Sequence, residues 1–268
     1  MPADYHTHTP LCKHAEGEPE EFIAAAIAAG VSEYGISDHA PTHVDGFDDW
    51  RMDFAELDDY MQWIDRAKSA AEGKIPVRIG LECDWISGHE SWIDTLAEFT
   101  SWDYLIGSVH YLSDWDFDNP AWLEKWAKTD VEDAWDRYWK TYAKMADSGM
   151  FDIMGHADLI KKFGYKPTDD LRRYYEPAVD AIASSGCAIE LNTAGWHKPC
   201  AEAYPEPDFL DLAFSAGIPL VISSDSHHPS EVARDFDRAI TWAREAGYTE
   251  TVLFDQRQRS FEPLPEAS

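Results

Sequence analysis

A chain of 268 residues that is 44% hydrophobic can bury one large core, and it carries 51 Asp and Glu against 22 Lys and Arg, a formal net charge of −29. That balance argues against nucleic acid as a partner, because such binding relies on Lys and Arg set against phosphates and there is no basic run here; the acidic excess reads as a salt-adapted, solvated surface. No apolar run reaches the roughly 20 residues of a membrane helix, Cys12, Cys83, Cys187 and Cys200 form no C-x-x-C pair, and no charged start precedes an apolar stretch, so one cytoplasmic, reduced domain over 1–268 is expected.

The opening stretch Asp4-Tyr5-His6-Thr7-His8-Thr9, continued by Cys12-Lys13-His14, places three imidazoles within nine residues of a chain that holds 11 histidines. If residues 4–8 are extended, His6 and His8 share a face and can offer nitrogens to one cation, with His14 arriving from the following loop. Phe22, Ile23, Ala26 and Ile27 then recur at helical spacing up to a stop at Gly30. The short apolar run Tyr34-Gly35-Ile36-Ser37 delivers Asp38-His39, and Phe54, Leu57, Met61 and Ile64 trace a helix that stops near Gly73.

The pattern continues to the end. Residues 76–81 lead to Glu82, a helix is expected over 92–99, and residues 104–109 lead to His110. Val131, Trp135, Tyr138, Tyr142 and Met145 mark a helix that Gly149 stops, after which residues 151–155 bring up His156. Val179, Ile182 and Ala183 mark the next helix, followed by the strand 187–191 leading to Asn192. A helix over 209–216 precedes the strand 218–222, which runs into Ser223-Ser224-Asp225-Ser226-His227; a last helix over 229–246 and an apolar tail at 252–254 complete the chain.

Seven strand-helix alternations imply a parallel sheet covered by helices. Strand ends so spread along the chain converge on one small volume only in a closed or nearly closed barrel, whose C-terminal face is where such barrels keep their chemistry. The stretch 111–130, with Trp115, Trp122 and Trp126 among aspartates, is too long for a minimal turn and reads either as a lid or as a surface excursion packed on the outer helices.

Taken in order, His6-Thr-His8-Thr, His14, Asp38-His39, Glu82, Gly-Ser-Val-His110, Gly-His156-Ala-Asp158 and Ser-Asp225-Ser-His227 resemble the motifs of the PHP (polymerase and histidinol phosphatase) superfamily across the whole chain. His-Thr-His-Thr-Pro-Leu-Cys-x-His-Ala and Asn192-Thr193-x-Gly195-x-x-Lys198 are similar to its monofunctional histidinol-phosphate phosphatases. The resemblance implies a distorted seven-stranded (βα) barrel, TIM-barrel-like, holding three divalent metals, Zn, Fe or Mn, with nine side chains. His6 and His8 would share the first with Glu82 and Asp225; Glu82 would bridge to a second held by His110 and His156; His14, His39 and His227 would hold the third. Glu82, Asp225 and His227 would stand at the reaction centre.

The implied reaction is hydrolysis of a small phosphate ester, L-histidinol phosphate, by a hydroxide held between metals, as in histidine biosynthesis. Such chemistry needs no protein nucleophile, in keeping with a chain that has no G-x-S-x-G elbow and no Walker loop. The alternative is a PHP phosphoesterase acting on nucleotides or other phosphate esters. At His197 the chain departs from the arginine that the phosphatase branch usually carries, which leaves His197, Lys198, Lys161 and Lys162 as candidates to hold the phosphate. No carboxylate is singled out for the substrate's ammonium; Asp114, Asp116 and Asp158 stand near strand ends. Oligomeric state has no signature in the sequence.

Overall fold

The structure, a computed structural model, describes residues 1–266. In chain order its elements are α1 (Pro19–Ala29), β1 (Tyr34–Ile36), α2 (Leu57–Ala71), β2 (Val77–Ile79), β3 (Glu82–Asp84), α3 (Glu90–Ala97), β4 (Ile106–Ser108), a hairpin of β5 (Tyr111–Leu112) and β6 (Trp115–Asp116), α4 (Leu123–Trp126), α5 (Val131–Asp147), β7 (Ile153–Met154), α6 (Arg172–Ser185), β8 (Ala188–Asn192), α7 (Pro207–Ser215), β9 (Leu220–Ser223), α8 (Phe236–Ala246), and a second hairpin of β10 (Glu250–Asp255) and β11 (Gln258–Pro263).

The parallel sheet expected from the alternation is present. Strands β3, β4, β7, β8 and β9 pair in that order, and β1 pairs with β2 in parallel. Single parallel bridges join Asp4 to Tyr34, His39 to Glu82 and Thr7 to Ser226. The opening segment is thus held at points and not along a continuous ladder, because side chains take over part of the pairing: the Asp4 carboxylate accepts from the backbone N–H of Ser224 and Ala233, and Thr7 Oγ1 donates to the Gly35 carbonyl. Between β2 and β3 the chain passes so close to Tyr104 that a Cβ on Gly80 would sit 2.6 Å from its ring, so only glycine fits there.

Local sequence accounts for the helix ends. Glu18 and Glu21 form a capping box around Pro19 at the start of α1, and Gly30 closes the helix in the left-handed conformation. Asp130 accepts from the N–H groups of Glu132 and Asp133 to start α5, whose buried stripe of Trp135, Tyr138, Tyr142 and Met145 follows the predicted spacing. The last helix is shorter than expected: Pro229–Glu231 forms a single 3₁₀ turn, and left-handed Ala233 and Asp235 break the chain before α8 begins.

Two apolar cores lie on opposite sides of the strands. The larger fills the layer between sheet and helices, while a smaller one gathers Tyr5, Tyr104, Ile106, Ile153, Ala188 and Val221 with Val252 and Phe254 of the C-terminal hairpin. The two-residue period of β8 divides its side chains accordingly, sending Ile189 and Leu191 to the helix layer and Ala188 to the inner core. Glu190 and Asn192 share the face of Ala188 but lie further along the strand, where apolar packing gives way to polar groups. The hairpin packs where the strands begin, and the strand ends remain free for a site. In the stretch 111–130, Trp115 and Trp126 are core residues and Trp122 is exposed.

Candidate active site

The strand ends open into a cavity of about 560 Å³ with Glu82 and several imidazoles at its floor. The nine side chains expected to bind metal come together there. Each belongs to at least one group of three whose ligand atoms lie within 4.8 Å of one another: His14, His39 and His227; His39, Glu82 and His110; His6, His8 and Glu82; His6, His156 and Asp225. Glu82 is central, with Oε2 2.7 Å from His39 Nδ1 and 3.3 Å from His6 Nε2, and Oε1 2.8 Å from His156 Nε2 and 3.5 Å from His110 Nε2. Asp225, a left-handed residue at the end of β9, places Oδ1 3.1 Å from His8 Nε2.

Most of these imidazoles are held through their second nitrogen. His6 Nδ1 lies 2.7 Å from Glu190 Oε1, His8 Nδ1 3.3 Å from Asp38 Oδ1, and His110 Nδ1 2.7 Å from Asp84 Oδ1; His14 and His227 use the carbonyls of Cys12 and Asp225. An acceptor at Nδ1 fixes the ring's orientation and directs Nε2 at the floor, where it can serve as the ligand atom once deprotonated. Buried Arg51 anchors Asp84 in turn, through a 2.6 Å contact to Oδ2. Glu190, Asp84 and Asp38 were not assigned this work from sequence, although a glutamate inside the apolar run 187–191 is a visible anomaly.

The donor set fits divalent cations. His6 Nε2, His39 Nδ1, Glu82 Oε2 and His227 Nε2 are buried without a properly directed hydrogen bond, and divalent ions bound in the groups to which they belong would satisfy them. Burial disfavours an ionised Glu82, yet the surrounding imidazoles, His39 and His6 foremost, hold its carboxyl well below the usual carboxylate range. Burial beside His8 drives His227 well below its usual value, so it keeps a lone pair. His110 goes the other way: burial opposes its charge, but Asp84 and Glu82 hold it up to about 10.

The four phosphate candidates fare differently. Lys162 and Lys198 line the cavity, with Lys162 Nζ 2.8 Å from Asp118 Oδ2. Lys161 is buried away from it, donating to Asp158 and to the Ala203 carbonyl, and exposed His197 pairs with Asp235 at 2.6 Å and is not among the lining residues. Arg234, not anticipated, does line the cavity; it donates to Glu231 and leaves a buried Nε without a partner. It lies in the segment read as helix, where spacing gave it no special place.

The family model described as "PHP domain" matches residues 4–194. The chain belongs to the PHP domain family. This PHP domain is 41% identical over 260 residues to "Probable histidinol-phosphatase" of Deinococcus radiodurans, covering 97% of this chain and 98% of that one. It is 29% identical to the histidinol-phosphatase of Bacillus subtilis, covering 87% and 96%. Among solved structures, the histidinol phosphate phosphatase of Lactococcus lactis, complexed with Zn, L-histidinol and phosphate, superposes with a TM-score of 0.82 at 24% identity, covering 96% of this chain and 98% of that one, which places the two in the same fold.

Proposed function

We propose that this PHP domain is a metal-dependent phosphomonoesterase that hydrolyses L-histidinol phosphate to L-histidinol and phosphate. The observation that carries the reading is the convergence of nine imidazole and carboxylate ligands on the floor of a cavity whose rim bears Lys162, Lys198 and Arg234. The near-full-length relatives named histidinol-phosphatase supply the substrate. The bridges at Asp4, Thr7 and His39 support closure of the seven strand segments into one distorted barrel, with the C-terminal hairpin covering the end opposite the site.

His6, His8, Glu82 and Asp225, then Glu82, His110 and His156, then His14, His39 and His227 would hold three divalent ions, Zn, Fe or Mn by the chemistry of the donors. When bound, such ions acidify water and neutralise charge on a phosphate ester's oxygens. The chain's own part is to hold the donors ionised or neutral as required, through Glu190, Asp38 and Asp84, and to draw the phosphate dianion to the floor with the rim cations. Lys162 carries its charge beside Asp118, whereas Arg234 cannot be deprotonated and has an N–H free to donate.

Turnover of L-histidinol phosphate set against a panel of dinucleotides and nucleoside monophosphates tests the substrate. The reading requires histidinol phosphate to have the highest kcat/KM; a nucleotide in that position would move the assignment to another PHP phosphoesterase activity.

A further inference from the structure

The rim cations and most of the rim carboxylates come from different loops. The cations Lys162, Lys198 and Arg234 come from the loops that follow β7, β8 and β9, whereas Asp49 comes from the loop after β1, and Asp116 and Asp118 from the hairpin and loop that follow β4. Most of the rim charges are already matched: Asp118 faces Lys162 at 2.8 Å and Glu231 faces Arg234 at 3.0 Å. Asp116 differs from both. It lines the cavity at only 5% exposure, and its hydrogen-bond partners among the described residues are two neutral donors on Oδ2, Trp50 Nε1 at 3.2 Å and Asn119 Nδ2 at 2.8 Å. Its Oδ1 is buried with no partner.

A buried carboxylate with an empty acceptor and no ion-pair contact is costly, and what relieves it is a positively charged donor. Burial, with the charge of Asp118 beside it, pushes the Asp116 carboxyl up to about 7, and an arriving ammonium would draw it back down. Trp50 joins this carboxylate to the floor, since its ring centroid lies 4.8 Å from that of His39 and 5.2 Å from that of His110. One indole therefore separates Asp116 from the donors, so a ligand that spans the Trp50 ring reaches both.

We propose that Asp116 is the receptor for the substrate's ammonium, so that the site selects phosphomonoesters that also carry a primary amine and orients them with phosphate toward Lys198 and Arg234 and amine toward the β5–β6 hairpin. This inference rests on the phosphomonoesterase reading above and names the group that confers its specificity. Asp116 is a specificity residue, held in place by Trp50 and Asn119.

The test compares kcat/KM for L-histidinol phosphate and for its deamino counterpart, in which hydrogen replaces the amine, in the metal-loaded wild type, Asp116→Asn and Asp118→Asn. Loss of a charge-assisted hydrogen bond predicts that the wild type prefers the amine by about tenfold or more and that Asp116→Asn loses most of this preference through KM. Asp118→Asn, which frees Lys162 and removes the charge beside Asp116, should shift both substrates and change the ratio less than Asp116→Asn does. A preference that is absent in the wild type, or unchanged in Asp116→Asn, overturns the assignment, as does a loss in Asp116→Asn that falls equally on both substrates. If the wild type hydrolyses other phosphomonoesters but neither of this pair, the substrate reading itself fails and the amine receptor fails with it. Good turnover of histidinol phosphate with an unaltered ratio removes the amine receptor alone.

Discussion

At the floor of the cavity most ligand atoms hang from strand ends and the imidazoles are steered by acceptors on their far nitrogens, as Glu190 steers His6 and Asp84 steers His110. At the rim the charged groups hang from loops and are matched in pairs, Lys162 to Asp118 across two loops and Arg234 to Glu231 within one. A strand end admits few positions, so the floor is rigid and its chemistry is set by which residue types stand there. A loop pair can be exchanged without disturbing the sheet, so the rim is where one metal-binding floor would be adapted to one substrate.

If that division holds, changes at the floor should cost the most. Glu82→Gln removes the carboxylate that touches four imidazoles, and activity should fall by more than the roughly 100-fold that losing a supporting partner costs, with fewer metals bound and the far-ultraviolet circular dichroism unchanged. A full metal complement with normal turnover would contradict its central place. Glu190→Gln, which leaves His6 without its charged acceptor, should cost about 10- to 100-fold in metal affinity or activity. If Zn titration of this variant matches wild type, the steering role of the far nitrogen is wrong.

Arg234→Ala should raise KM for the phosphate ester about tenfold while leaving the metal content intact, the outcome expected of a rim cation. The comparison sharpens with His197→Ala, expected to leave KM within error because His197 faces Asp235; a KM rise in His197→Ala that exceeds the one in Arg234→Ala would exchange their roles.

The smallest effect concerns pH. In the metal-free protein His8 is held up to about 9, its burial outweighed by Asp225 and Asp38, and His110 up to about 10, so both carry protons at neutral pH that a metal must displace. Metal loading should therefore release protons into weakly buffered solution, and apparent metal affinity should rise with pH until about 10. An affinity that does not change between pH 6 and 9 would show these imidazoles to be neutral before loading.

The floor was legible in the sequence because strand ends repeat: a short apolar run followed by His, Glu or Asp recurs at Asp38-His39, Glu82, His110, His156 and Asp225, and the fold needs each run in a parallel strand. The acceptors behind the floor were less so. Glu190 and Asp84 pair with residues 184 and 26 positions away, contacts that only the packing of strands creates. The rim was least legible, since Arg234 owes its position to a break at left-handed Ala233 and Asp235 inside a stretch with helical spacing, and Lys161 and Lys162 are adjacent in sequence yet turn to opposite environments.

The most direct test of the metal-centred account is phosphate release from L-histidinol phosphate by the protein after chelator has removed its metals, followed by reloading with Zn, Mn or Fe. The account predicts that the stripped protein stays folded, releases no phosphate, and regains turnover as metal is restored; undiminished release by protein shown to be free of metal would contradict it.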